Sequence, residues 1–183
     1  MLYWIAFYVS NIMVSNSFIS VPNSESSVSI LDSASISINW LKGLVGPATS
    51  VNWGLIISLV LVFVIWFVLN KTTLGFELKA VGHNKDAAEY AGIDVRKSML
   101  KSMAIAGMLA GIAGAIQVMG VTHNITVLAA QEGYGFDGIA VALIANSNPI
   151  GVIFSGLLFG AFKYGGIKMQ SVNAPSEVIN IVI

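Results

Sequence analysis

Between Lys42 and Lys71 the chain runs for 28 residues, Gly43 to Asn70, without a formal charge. Inside that run, Leu55 to Leu69 is almost wholly aliphatic and aromatic. Crossing a hydrocarbon core about 30 Å thick takes roughly 20 apolar residues in a helix, and Val51–Leu69 has that length. Trp53 near one end, and Trp66 with Phe67 near the other, suit the two membrane–water interfaces, where amphipathic rings collect. The whole chain has the same character. Its 183 residues are 56% hydrophobic and 10% charged, with a mean hydropathy of +0.81, whereas a soluble domain is about 25% charged. Too few charges remain to coat a water-facing surface, so the sequence reads as an integral membrane protein. Nine basic and nine acidic residues cancel, which gives no reason to expect a nucleic-acid partner. Without cysteine there is no disulfide, thiolate nucleophile or cysteine metal site.

Two further runs shape the bundle. Lys101 and Glu132 bracket 30 uncharged residues, whose apolar part, Ser102–Val121, is rich in alanine and glycine. Gly107 with Gly111, and Ala110 with Gly114, are small residues four apart on one helix face, a spacing that lets a neighbouring backbone approach closely. A helix packed among other helices is expected there. The third run, Gly138 to Phe162, covers 25 residues and is interrupted by Ala145-Asn146-Ser147-Asn148-Pro149-Ile150-Gly151. Two asparagines and a proline cannot face lipid, because the backbone groups they release need partners. Either this is one crossing with a surface-level kink, or two half-helices dip in and return, as in the discontinuous helices that line transporter pathways. Gly156 and Gly160 offer a further close-packing pair. Met1–Val14 is apolar but short, with no basic residue before Lys42, so it reads as a span end or interfacial segment, not a signal peptide. Glu177–Ile183 begins another apolar segment. Both ends suggest part of a longer polypeptide.

The polar segments differ in sign. Residues 20–50 read as an extracytoplasmic loop, with eight serines between Ser20 and Ser37 and no basic residue in that stretch. Such a composition predicts a solvated, poorly ordered segment. Residues 71–101 carry six of the nine basic residues, and because orientation follows Lys and Arg they read as a cytoplasmic loop. Lys163 and Lys168 fall inside if Gly138–Phe162 crosses once, and outside if it re-enters. Within 71–101, Asn84 is placed to cap a short helix over Lys85–Ala91, Gly92 to end it, and Asp94 to cap the next helix. Ala87 and Ala88 on that short element predict a flat surface suited to a partner's groove.

These residues resemble the permease subunits of ABC importers. Asp86-Ala87-Ala88 followed by Gly92 is similar to the cytoplasmic loop that couples such permeases to their ATPase. Thr73-Leu74-Gly75-Phe76-Glu77-Leu78-Lys79-Ala80-Val81-Gly82-His83-Asn84 resembles the preceding segment in the branched-chain amino acid, ribose and nucleoside branch. Gly133-Tyr134-Gly135-Phe136-Asp137-Gly138, with Asn148-Pro149-Ile150-Gly151 and Leu158-Phe159-Gly160, looks like the simple-sugar and bacterial nucleoside (guanosine-type) permeases. The resemblance covers Val51 to Ile183, and family permeases are about twice this length, so it implies a C-terminal half. Asp86 stands where the general loop pattern has Glu, and Ala145-Asn146-Ser147 where relatives commonly have glycine.

The resemblance implies an all-α, polytopic transmembrane helical bundle with a short cytoplasmic coupling helix and a broken or re-entrant helix, in a bacterial cell membrane. It implies a non-enzymatic pathway subunit for nucleosides, with ribose-type sugars as the alternative substrate; a scaffold or channel without an ATPase is the competing class that the short length suggests. The implied partners are ABC ATPase subunits, a second permease subunit and an extracytoplasmic substrate-binding lipoprotein, with ATP bound by the ATPase and no cofactor on this chain. Asn84, Asp86, Ala87, Ala88 and Gly92 would form the coupling loop. Consistent with an external energy source, none of the three long runs contains Asp, Glu, Lys or Arg, the groups an ion-coupled carrier places at membrane depth. His83 and His123 stand apart without a carboxylate cluster, so no metal is expected, and each reads as solvated or capping. For substrate, Tyr134, Phe136 and Asp137 near the outer mouth and Asn146 and Asn148 at the polar break are the candidates, since rings stack on bases and amides satisfy polar edges. The competing reading makes Asp137 the cap of a helix beginning at Gly138 and gives the asparagines to broken backbone.

Overall fold

In a computed structural model the described residues are 2–16, 20, 24, 26–36, 52–128 and 133–170. They form seven α-helices: α1 (Leu2–Val14), α2 (Gly54–Lys71), α3 (Thr73–His83), α4 (Lys85–Tyr90), α5 (Val95–Gln117), α6 (Tyr134–Ile144) and α7 (Pro149–Gln170). A 3-10 turn covers Asp32–Ala34, and the last turn of α5 widens into a π-turn over Val118–Thr122. Among the described residues the only β pairing is two isolated bridges, Ser20 with Ser27 and Ser26 with Thr126. Two helical stretches, Gly54–Lys71 and Val95–Thr122, are long and apolar enough to cross a membrane. Only 6% of either apolar window is buried, so neither is the core helix of a soluble protein. The all-α membrane fold expected from the charge-free runs is what forms.

The chain divides into two compact units, residues 1–58 with 73–132, and residues 59–72 with 133–183. In the first unit, α3, α4 and α5 pack into a corner whose buried residues include Val81, Ala88 and Ser98, one from each helix. Lys101 ties α5 to Glu77 of α3 at 3.1 Å. The basic segment is therefore mostly helical, with α3 occupying what the charge pattern presented as a loop.

At the other end of α5 the chain is bound differently. The π-turn closes with the His123 N–H donating to the Val118 carbonyl at 2.9 Å, and His123 adopts φ 57°. Histidine thus serves as a left-handed backbone cap. Asn52 is buried beside this turn: its Nδ2 donates to the Gly120 carbonyl at 3.1 Å while its Oδ1 accepts the Gly54 N–H at 2.9 Å. One side chain thereby satisfies a carbonyl of the π-turn and an N–H that opens α2.

The serine-rich segment departs from expectation here. Ser27 is buried, its N–H donates to the Ile125 carbonyl at 2.7 Å, and its Oγ accepts the Ile125 N–H at 2.9 Å. Ile30 and Ile36 donate to the carbonyls of His123 and Met119. The Ser27 hydroxyl and the backbone N–H groups of Ser27, Ile30 and Ile36 take the place of water along the irregular backbone at and beyond the end of α5, so residues 26–36 are a strap along it. On α1, the Asn11 amide makes a two-way bond to the Leu128 backbone.

The small residues of α5 hold a second correction. A side chain at Gly107, Gly111 or Gly114 would meet nothing within 4 Å. The close packing that their spacing predicts is not made among the described residues, and the face stays open.

Candidate functional site

The sequence candidates fall into separate structural groups. The first is α4. Asn84 has extended backbone and its Oδ1 accepts the Ala87 N–H at 3.1 Å, the N-cap that its position suggested. At the other end, the Gly92 N–H donates to the Glu89 carbonyl at 2.9 Å and the Ile93 N–H to the Ala88 carbonyl at 3.0 Å. This pair of bonds is a Schellman ending, which needs a left-handed residue, and Gly92 supplies it with φ +82°. Two residues later Asp94 Oδ1 caps α5 by accepting the Lys97 N–H at 3.0 Å. That backbone N–H, followed by the Lys97 ammonium, lowers the Asp94 carboxyl below its ordinary range. Two caps and one glycine therefore fix the direction of α4 against α5, with only the four residues Ala91–Asp94 between the helices.

Burial sorts the alanine pair. Ala87 is exposed, but Ala88 is only 3% exposed and turned into the α3–α4–α5 corner. The outward face of α4 consists instead of Lys85, Asp86, Ala87, Glu89 and Tyr90, with Tyr90 95% exposed. Asp86, Glu89 and Tyr90 line one shallow depression there, and Glu89 with Gly92–Arg96 lines a second. A nearly fully exposed ring beside two carboxylates is a surface feature that sequence reasoning passed over.

The second group lies on α6 and α7, which fold back as an antiparallel hairpin. Its rungs are Asp137 with Lys163, Val141 with Ser155, and Ala145 with Gly151. Ser155 is buried and its Oγ donates to the Val141 carbonyl at 3.0 Å. A Cβ on Gly151 would stand 3.0 Å from the Ala145 carbonyl oxygen, so glycine permits the closest approach, beside the turn. At this break the chain reverses direction, from the 11-residue α6 into the 22-residue α7. The single kinked crossing is excluded, because α7 runs back along α6.

The turn explains the asparagines. Asn146 and Ser147 both have left-handed backbone, φ 49° and 55°, and their N–H groups donate to the carbonyls of Leu143 and Ala142. Asn148 Oδ1 accepts the Ile150 N–H at 3.0 Å, ahead of Pro149 at the first position of α7, where a missing N–H costs nothing. Asparagine is among the few non-glycine residues that accept the left-handed region. Asn146→Gly should therefore leave thermal unfolding in detergent nearly unchanged, because the backbone role is kept when the amide goes. A clear drop in melting temperature would instead show that the Asn146 amide itself holds the turn.

At the open end of the hairpin, Asp137 lies inside the first turn of α6, whose cap is Gly133; it does not cap a helix starting at Gly138. Its carboxylate pairs with Lys163 of α7, whose Nζ also stands 5.5 Å from the centre of the Tyr134 ring. Phe136 is 75% exposed and takes no part, since two residues from Tyr134 and one from Asp137 it points to another side of the helix. The five pathway candidates thus divide into Tyr134 with Asp137, Phe136 apart, and the two asparagines at the far turn. Lys163, which served the sequence only as a marker of sidedness, joins the first pair. The signal was present: opposite charges bracket the third run, and a hairpin brings the two ends of a run together.

Among the described residues no three His, Asp or Glu gather as a metal site would require. The entire chain, residues 1–183, matches the family described as the branched-chain amino acid transport system permease component. The chain belongs to this permease family. It is 38% identical to the guanosine ABC transporter permease protein NupP of Bacillus subtilis, across all of this chain and 52% of that one. It is 37% identical to the nucleoside ABC transporter permease protein NupB of Lactococcus lactis, across all of this chain and 51% of the relative. A more distant relative is the D-allose transport system permease protein AlsC of Escherichia coli, 32% identical over 60% of this chain. The chain spans about half the length of the curated nucleoside relatives it matches. No solved structure matches it. As a member of this family the chain is an integral membrane transporter component and not an enzyme.

Proposed function

We propose that this permease chain is part of the translocation pathway of an ATP-driven nucleoside importer, and that α4 is the element through which a partner ATPase moves it. The observation that carries the coupling role is the double-capped junction at Gly92. It holds a short exposed helix in fixed direction against a 23-residue helix, so force applied to α4 is delivered to α5 with little slack. ATP is then bound by the ATPase, two permease subunits enclose the path, and an extracytoplasmic binding protein delivers the substrate. The nucleoside assignment is supported by the full-length alignment to permeases named for guanosine and nucleosides. Permeases named for glucose, allose and fructose align over shorter parts, which makes a simple sugar the second reading.

Because the chain has no cysteine, a single introduced thiol reports without background from it. Tyr90→Cys or Ala87→Cys is expected to cross-link an ATP-binding protein in native membranes, while Ala88→Cys, facing inward, is not. Cross-linking from Ala88→Cys alone would place the docking face on the wrong side of α4. Competition by guanosine but not ribose against labelled nucleoside in whole cells is the expected substrate result.

A further inference from the structure

The described residues contain three ion pairs. Asp94–Lys97 is local to a helix start, and Glu77–Lys101 joins α3 to α5 on the basic, polar stretch. The third, Asp137–Lys163, is different: it closes the hairpin whose stretch from Gly138 to Phe162 carries no charged residue. The two charges flank that run and meet across the open end of the hairpin. Both partners stay partly accessible, Lys163 with 43% and Asp137 with 31% of the side chain exposed. Tyr134 beside them is 56% exposed. The pair leaves a carboxylate, an ammonium and a ring face accessible side by side.

We infer that Tyr134, Asp137 and Lys163 form a nucleobase-recognition site selecting bases that present N–H donors on their pairing edge. The inference rests on the nucleoside reading above and assigns its specificity. A base stacks on the Tyr134 face, taking the place of the Lys163 ammonium over the ring. The Asp137 carboxylate accepts only, so it suits the N1–H and N2–H of guanine and the N1–H of hypoxanthine, and it meets a lone pair on adenine N1 or cytosine N3. The ammonium donates only, which suits a purine O6 or N7. The ion pair opens around the base and remains neutral as a whole, so an uncharged nucleoside enters without leaving either charge without a partner. The site is thus matched to guanosine and inosine and mismatched to adenosine and cytidine.

The test is competition against labelled guanosine in cells carrying the full permease in its assembled importer. Guanosine and inosine are expected to compete at least about tenfold better than adenosine and cytidine, the discrimination typical of one good edge contact. Asp137→Asn, whose amide offers both donor and acceptor, should bring the four to within about threefold. Exchanging the charges, Asp137→Lys with Lys163→Asp, keeps the clamp but moves each group. Normal assembly with lost uptake is the expected result. If the exchange restores uptake with unchanged preference, the pair is a clamp and the inference fails. It also fails if all four nucleosides compete equally in the native importer. Competition by ribose and by no nucleoside would overturn the nucleoside reading itself.

Discussion

Gly120→Ala is expected to destabilise the first unit by about 3 kcal/mol, through the misfit of one methyl group beside a fully committed side chain. A Cβ at Gly120 would stand 2.4 Å from Asn52 Nδ2. An ordinary flexible neighbour would swing aside, but Asn52 is buried and bonded in both directions, to the Gly120 carbonyl and the Gly54 N–H. Moving it leaves a carbonyl of the π-turn and a helix-opening N–H without partners, each costing about 1–3 kcal/mol, on top of about 1–3 kcal/mol for overpacking. Gly54→Ala should act similarly, since its Cβ would stand 2.2 Å from Ile116 Cγ2 and 2.6 Å from Asn52 Oδ1. For a chain of this size about 3 kcal/mol lowers the melting temperature by roughly 10 °C. Thermal unfolding in detergent reads this directly. Gly107→Ala, with open space at its Cβ, is the internal control, and an equal drop there would remove Asn52 from the explanation.

Gly92→Val should abolish uptake while the protein still inserts and accumulates. Nothing lies within 4 Å of a Cβ at Gly92, so a side chain meets no steric barrier in space. The barrier is in the backbone: at φ +82° an L-residue is strained by about 1–2 kcal/mol, and a β-branched one by more. Relaxing that strain turns the residue out of the left-handed region, breaks the Schellman bonds and re-aims α4. A mispositioned coupling helix costing about 2 kcal/mol of productive docking corresponds to a roughly thirtyfold loss. Gly92→Asn, which tolerates the left-handed region, should keep most of the uptake. Full transport by Gly92→Val would show that the fixed angle between α4 and α5 does not transmit the force.

Much of this architecture is written locally. The two long apolar spans follow from the absence of charge, and α4 follows from Asn84, Gly92 and Asp94, whose hydrogen bonds reach only three to five residues along the chain. Interactions of that range depend on spacing alone, so spacing revealed them. The same reasoning went astray where a side chain had to choose a direction. Ala87 and Ala88 are indistinguishable in a motif, yet a 100° step along the helix exposes one and buries the other. The serines of residues 26–36 look solvated by composition, but Ser27 is spent on the backbone at Ile125, 98 residues away.

The sequence by itself determined that this is a membrane permease chain with a short capped helix after Asn84 and a break after Ala145, because charge, hydropathy and capping act over one or two turns. Only the tertiary structure decided that the break is a hairpin turn, that Asn52 locks the π-turn at Gly120, and that Lys163 meets Asp137 and Tyr134. The last two join residues 26 or more apart in the chain, and no local preference says which distant surfaces will meet. That choice belongs to packing, where Gly151 lets two backbones approach, Gly120 leaves room for the Asn52 side chain, and Ser155 and Asn52 satisfy the polar groups brought together.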